Sequence, residues 1–317
     1  MKISQQIVTV VGGSGFLGRY VVKELAQAGY TVRVLCRHPE LAEFLKPNGH
    51  VGQIIIQKGD LAKPETLEGK LANSFAVINL VGLLFERGRQ KFKAVHQKGA
   101  GWLAGEARKH QVERFIQVSA LGVSDMPESD YARTKVGGEE AVKKAFINAT
   151  IFRPSVLFGP EDNFFNQFAR QARMLPFLPL VGGGKTKFQP IYAGDVARAI
   201  VTSLQKPETK GQTYELGGSQ VMTMKEIYEY VLEQTGHERS LVDLPFCAAS
   251  AIGTFAQLLP TPPLTPDQVR MLKHDNVVHS DAKTLADLAI SPTPVDMIVP
   301  HYLKRYKSKR RVTVEPE

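Results

Sequence analysis

Cysteine is nearly absent: Cys36 and Cys247 are the only two in 317 residues, far apart and outside any metal-ligand or redox spacing. That excludes a disulfide scaffold or a thiolate zinc site and suits a reducing compartment. No internal repeat or low-complexity tract stands out. No uncharged run offers an unbroken helix long enough to span a bilayer. The longest, 244–266, is broken by Pro245, Pro260, Pro262, Pro263 and Pro266, so only Phe246 to Leu259 can form one helix. Its 14 residues rise about 21 Å, short of a roughly 30 Å hydrocarbon core. The segment reads either as a buried helix or as an apolar face for a partner or bilayer interface. The chain enters its first strand within a few residues, so no signal peptide or transit segment is expected. The expected location is therefore cytoplasmic, with at most a peripheral place on the cytoplasmic face of the inner membrane.

Acidic residues are also in deficit, 31 Asp and Glu against 40 Lys and Arg, for a net charge of +9. Much of the surplus lies at the end, where Lys304, Arg305, Lys307, Lys309, Arg310 and Arg311 face Glu315 and Glu317. An anionic surface, lipid headgroups or an acidic protein face, is the partner such a run suits. Nucleic acid is not expected, because no recognition motif or aromatic-interleaved basic patch accompanies the charge. With 43% hydrophobic residues, the chain can bury a large core.

What is present is most telling near the start. The β-branched run Val8 to Val11 feeds into Gly12, Gly15 and Gly18, and an amphipathic segment follows from Phe16 to Ala28, ended by Gly29. That pattern is strand, tight turn, helix. Gly12 permits the turn, Gly15 lets a pyrophosphate approach the backbone, and Gly18 lets the helix pack close to the sheet. The helix N-terminus then holds phosphate. Gly12 to Arg19, with Ser14, Phe16 and Leu17 inside it, is the candidate nucleotide cradle. The second strand, Thr31 to Cys36, ends without the Asp or Glu that an NAD-selective site would use; Arg37 follows instead. A guanidinium grips a 2′-phosphate that a carboxylate would repel. Arg37, with Arg19 as a second charge, points to NADPH.

Further along, Gln53 to Gln57 reads as a third strand, and Asp60 after it either accepts from adenine or caps the next turn. Ala76 to Gly82, which includes Val81, reads as a strand buried on both faces. A polar helix over about Phe92 to Lys109 and a strand over Arg114 to Ser119 follow. This alternation predicts an α/β fold, a doubly wound parallel Rossmann-type sheet with a smaller C-terminal lobe. The expected division is a dinucleotide-binding core over 1–155, later core strands interleaved with the smaller lobe over 156–303, and a basic tail over 304–317. Tyr131 and Lys135 stand four apart on a helix and share a face. The cation would lower the phenol toward a useful range, and Tyr131 would act as general acid or base toward a carbonyl or alcohol.

These residues together resemble the short-chain dehydrogenase/reductase superfamily in its extended, atypical branch. The resemblance covers nearly the whole chain, through the glycine turn, Asp60, Asn79 to Gly82, Tyr131 with Lys135, Arg153-Pro154-Ser155 and Ile191 to Ala197. It implies that Asp60 and Leu61 border the adenine, and that the backbone from Pro154 to Val156 faces the nicotinamide amide. Active members carry a Ser or Thr that polarises the substrate carbonyl. Here Ala120 falls at that position, with Ser119, the nearest candidate, one residue earlier, so the catalytic set is incomplete or rearranged. Leu264 to Val269, Leu272 to Val278 and Pro300 to Leu303 sharpen the likeness toward the group containing the NADPH-binding accessory subunit of respiratory complex I (NADH:ubiquinone oxidoreductase). That group implies a tightly held NADPH without established turnover, complex I subunits as partners and a place near the membrane. It also includes proteins linked to ubiquinone synthesis. The alternative is a free NADP-dependent oxidoreductase acting on a carbonyl or quinone-pathway substrate.

Overall fold

The computed structural model describes residues 6–257, 259, 262 and 264–308. The first half runs β1 (Ile7–Val11), α1 (Phe16–Gln27), β2 (Thr31–Cys36), β3 (Ile54–Lys58), β4 (Ser74–Asn79), α2 (Ala100–Lys109), β5 (Arg114–Val118), α3 (Asp130–Ala145) and β6 (Thr150–Pro154). The second half adds β7 (Leu157–Phe158), α4 (Phe165–Met174), β8 (Phe177–Val181), β9 (Lys187–Phe188), β10 (Ile191–Tyr192), α5 (Ala193–Gln205) and β11 (Thr213–Leu216). Then come β12 (Met222–Thr223), α6 (Met224–Thr235), β13 (Ser240–Leu244), α7 (Phe246–Ala256), α8 (Pro266–Met271) and α9 (Val295–Leu303).

Seven parallel strands form one sheet in the order β11-β6-β5-β4-β1-β2-β3. The order reverses at β1, between β2 and β4, and this opens a crevice at the carboxyl ends of the strands. Alternation along β1 explains the layers: Val8 and Val10 face α1 and α5, while Val11 faces α2 and α3. On α1, Val21, Val22 and Leu25 are fully buried, and each such side chain stabilises the fold by about 1.5–3 kcal/mol. A second core, built on Phe165, Phe168, Leu178, Ile227, Val231 and Val299, holds the smaller lobe together.

Three expectations need correction. The helix read over Phe92 to Lys109 is split into a wide π turn at Lys93–Gly99 and then α2. The wide turn leans against α3 so closely that a Cβ at Gly138 would lie 3.0 Å from the His96 carbonyl carbon. The β4 strand stops at Asn79, whose side chain turns back to accept from the Val81 N–H at 3.1 Å. At the C-terminal end, Lys304–Tyr306 forms a short 3-10 turn with Tyr306 buried, and Arg305 donates to the Pro160 carbonyl at 3.0 Å. Ser308 donates its N–H to Thr235 at 2.9 Å; Lys309, Arg310 and Arg311 lie outside the described residues. Of the two readings for Phe246 to Leu259, the buried helix is not what its described residues form. Only Ala249 and Gly253 of α7 are buried, while Ile252 and Phe255 are 52% and 75% exposed. No helix among the described residues is long and apolar enough to cross a membrane.

Candidate nucleotide-binding site

Gly12 leaves β1 at φ +84°, a left-handed conformation that glycine adopts without a Cβ penalty, and its N–H donates to Leu35 at 2.9 Å. A Cβ on Gly12 would come within 3.0 Å of the Val81 side chain, so the loop after β4 closes against the turn. Helix α1 opens at Gly15 with no side-chain cap, which leaves its first-turn N–H groups for an anion in the crevice. Phe16 packs edge-on against Tyr20, and Leu17 turns into the core, so Leu17 offers a ligand its backbone only. Ser14 hydrogen-bonds the Cys36 thiol, and burial pushes that thiol up.

The two arginines differ. Arg37 is exposed at the end of β2 and has no ion-pair partner among the described residues. Arg19 pairs with Glu161 at 3.0 Å and lies over the Phe44 ring at 4.9 Å. A second free charge was expected at Arg19; the loop after β7 already neutralises it. Asp60 accepts from the Ala62 N–H at 3.0 Å and from Gln90 Nε2 at 3.2 Å, which makes it the cap of its own turn. Leu61 is buried in the core beside α2.

On the other side of the crevice, Tyr131 and Lys135 are both buried on α3, with the Lys135 Nζ 5.9 Å from the Tyr131 ring centroid. Burial pushes the Tyr131 phenol up to about 12 and the Lys135 ammonium down to about 8, with Glu139 pulling the latter back up. The expected depression of the phenol is not met: at this separation burial outweighs the cation. Tyr131 therefore stands as a neutral acid. Ala120 packs against the apolar cluster of Phe92, Val123, Met126 and Tyr131. The Ser119 hydroxyl is buried without a hydrogen-bond partner among the described residues, and Ser124 is occupied with Asp125 on the surface. Pro154 accepts from the Leu121 N–H at 2.9 Å, while Val156 accepts from the Ile191 N–H at 3.0 Å.

Sequence reasoning missed His96. Its Nε2 accepts from the Leu83 N–H at 2.9 Å, so its Nδ1 carries the proton and donates to Thr134 Oγ1 at 3.2 Å. Burial, with the Lys135 charge, drives its pKa down to about 2. The neutral ring lies edge-on to Tyr131 at 5.5 Å and ties the loop after β4 to α3. No spacing in the chain announces this role. Among the described residues no cluster of His, Cys, Asp or Glu suits a metal ion.

Residues 8–217 match the model of the NAD dependent epimerase/dehydratase family. The chain belongs to that family. The match to the epimerase/dehydratase family runs from β1 to the end of β11 and leaves α7, α8 and α9 outside it. Among relatives, the Arabidopsis thaliana protein named NADH dehydrogenase (ubiquinone) 1 alpha subcomplex subunit 9, mitochondrial, is 37% identical over 96% of this chain and 77% of its own length. The Neurospora crassa NADH-ubiquinone oxidoreductase 40 kDa subunit, mitochondrial, is 32% identical over 97% of this chain and 81% of its own. A solved family structure, DesIV (dTDP-glucose 4,6-dehydratase) from Streptomyces venezuelae with NAD and TYD bound, aligns with a TM-score of 0.71 at 18% identity. It covers 95% of this chain and 96% of its own, and speaks for the fold.

Proposed function

We propose that this chain holds NADPH as a structural nucleotide and serves as an accessory subunit of an NADH:ubiquinone oxidoreductase. What supports the reading most is the open glycine turn at the uncapped start of α1, with Ala120 rather than a hydroxyl-bearing residue packed beside Tyr131. The open glycine turn and uncapped α1 suit a pyrophosphate, and Arg37 suits a 2′-phosphate, yet Ala120 occupies the place beside Tyr131 where a carbonyl-polarising hydroxyl would act. The relatives named above support the partner. The orphaned Ser119 hydroxyl and the buried Lys135 fit the nicotinamide end of such a nucleotide. When bound, NADPH would supply a hydride. Tyr131, as a neutral phenol, can donate one proton, and Lys135 can hydrogen-bond a ribose hydroxyl.

Arg37→Ala should weaken NADPH binding by about 1–3 kcal/mol, the range for charge-assisted hydrogen bonds, and leave NADH almost unchanged. Calorimetric titration with both nucleotides checks this; equal losses would remove the NADPH preference. Turnover separates the leading reading from its rival, a free NADP-dependent oxidoreductase that uses the intact Tyr131–Lys135 pair on a carbonyl or quinone-pathway substrate. The expected outcome is slow NADPH oxidation against aldehydes, ketones and quinones, with Tyr131→Phe leaving co-purification with complex I subunits intact. A robust steady-state rate abolished by Tyr131→Phe would establish the enzyme instead.

The place of action in this reading is the cytoplasmic face of the inner membrane. Each basic residue near an anionic leaflet contributes about 1 kcal/mol, screened by salt. Truncation after Ser308 removes Lys309, Arg310 and Arg311 while keeping the buried Tyr306. It should release part of the protein from native membranes at low salt. Attachment that resists salt and survives truncation would instead point to the exposed apolar side of α7.

A further inference from the structure

Helix α3 carries Tyr131 and Lys135, and its N-terminus is capped twice. Ser129 accepts from the Ala132 N–H at 3.2 Å, an ordinary local cap. The second cap comes from the far end of the chain. One oxygen of Asp267 accepts from the Asp130 N–H at 2.9 Å; the other accepts from the Tyr131 N–H at 3.0 Å and from the Ser129 hydroxyl at 2.9 Å. The Asp267 side chain is 15% exposed, and Arg270 steadies it at 3.2 Å.

Asp267 lies in the first turn of α8, which has its own capping box between Thr265 and Gln268. Helix α8 is in turn welded to α7, because Gly253 sits so close that a Cβ there would be 3.1 Å from the Thr265–Pro266 backbone. The chain after α8 stays on the same rim. His274 meets Glu128 at 2.5 Å, and Asn276 accepts from Ser155 Oγ at 2.6 Å while donating to the Leu121 carbonyl at 2.9 Å. Met271 packs on the cluster that contains Tyr131. One strap from Thr265 to Asn276 thus touches the start of α3, the loop before it and the loop after β6.

We propose that Asp267 is a positioning residue that couples nucleotide binding in the crevice to the ordering of the α7–α8 pair. A ligand that fixes α3 fixes the N–H groups that Asp267 grips, and with them the helix pair whose exposed side carries Ile252 and Phe255. Linkage makes the effect reciprocal: whatever docks on α7 and α8 tightens the hold on the nucleotide. This inference rests on the reading that the crevice takes NADPH, and it assigns that nucleotide an ordering role in place of turnover.

Amide hydrogen exchange on the full chain with and without NADPH tests it. In the wild type, saturating NADPH should slow exchange across 246–271 about 5- to 100-fold, in addition to protecting Gly12 to Gly18. Asp267→Asn keeps the size but loses one of the two acceptors. It should still bind NADPH and protect the glycine turn, with protection of 246–271 reduced to less than about twofold. Asp267→Glu, which retains the carboxylate, should restore part of the coupling; should the Asn variant fail to fold, the wild-type and Glu measurements decide. NADPH binding that leaves 246–271 unprotected in the wild type, or protects it equally in Asp267→Asn, overturns the coupling while the nucleotide reading stands. Failure of the wild type to bind NADPH overturns both.

Discussion

Gly18→Ala is expected to lower the unfolding midpoint and abolish NADPH retention together. A Cβ on Gly18 would sit 2.5 Å from the Gly13 carbonyl carbon and 2.6 Å from the Gly12 oxygen. Both are backbone atoms in the tight turn, so the strain cannot be relieved by a rotamer change, and α1 must move off the sheet. Overpacking of this kind costs about 1–3 kcal/mol and more where backbone resists. Gly15→Ala supplies the contrast. Gly15 has φ −76° and ψ −178°, which alanine adopts freely, and its Cβ would meet only the Gly12 oxygen, at 3.3 Å. That variant should keep its stability and lose nucleotide affinity, because the methyl stands where the pyrophosphate approaches. Thermal unfolding and NADPH fluorescence titration of both variants check the pair. Equal stability losses would show that the turn tolerates neither residue and that the affinity effect is not local.

The other large effect is expected at Arg153. Its guanidinium makes a two-pronged contact with Glu139, at 3.0 and 2.8 Å, and reaches Glu215 at 3.4 Å. The two glutamate side chains are only 4% and 7% exposed, and Arg153 links β6 to α3 and β11 through them. Arg153→Met strips the buried Glu139 of its ion pair, while Glu215 keeps His279 at 2.8 Å; stranding the one charge costs about 3–5 kcal/mol. Adding Glu139→Gln should recover part of that loss, since it removes the stranded charge. Urea unfolding of the single and double variants measures both. A loss under about 1 kcal/mol for Arg153→Met would mean that water reaches the pair and screens it.

The sheet was legible in the sequence because its signals are local. Strand β2 occupies Thr31–Cys36 as expected, bounded by Gly29 at φ +88° and by the change of pattern at Arg37. The glycine turn and the Tyr131–Lys135 pair likewise depend on residues within one or two helical turns. What escaped depends on partners remote in the chain or on burial. Asp267 looks like a helix-start residue of its own segment, and nothing in Thr265 to Gln268 says that its carboxylate serves a helix 136 residues earlier. The Arg153 contacts join positions 14 and 62 apart. The protonation of Tyr131 was misjudged for the same reason: spacing placed the lysine correctly, but only the packed cluster of Phe92, Val123 and Met126 sets the desolvation that dominates.

The remote cap also bears on how the chain is made. A ribosome that adds about 5–20 residues per second needs about 7–27 s to pass from Tyr131 to Asp267, a separation of 136 residues. Throughout that interval the nascent helix has only Ser129 at its start, and the rim that Thr265 to Asn276 will cover lies open to solvent. Strand β11, which completes the sheet beside β6, also emerges within that window, and its Glu215 N–H finds the Lys283 carbonyl, at 2.8 Å, only after Asp267 has passed. The N-terminal half is therefore synthesised as an unfinished sheet with an exposed edge, the condition under which a chaperone or early nucleotide binding would protect it from aggregation.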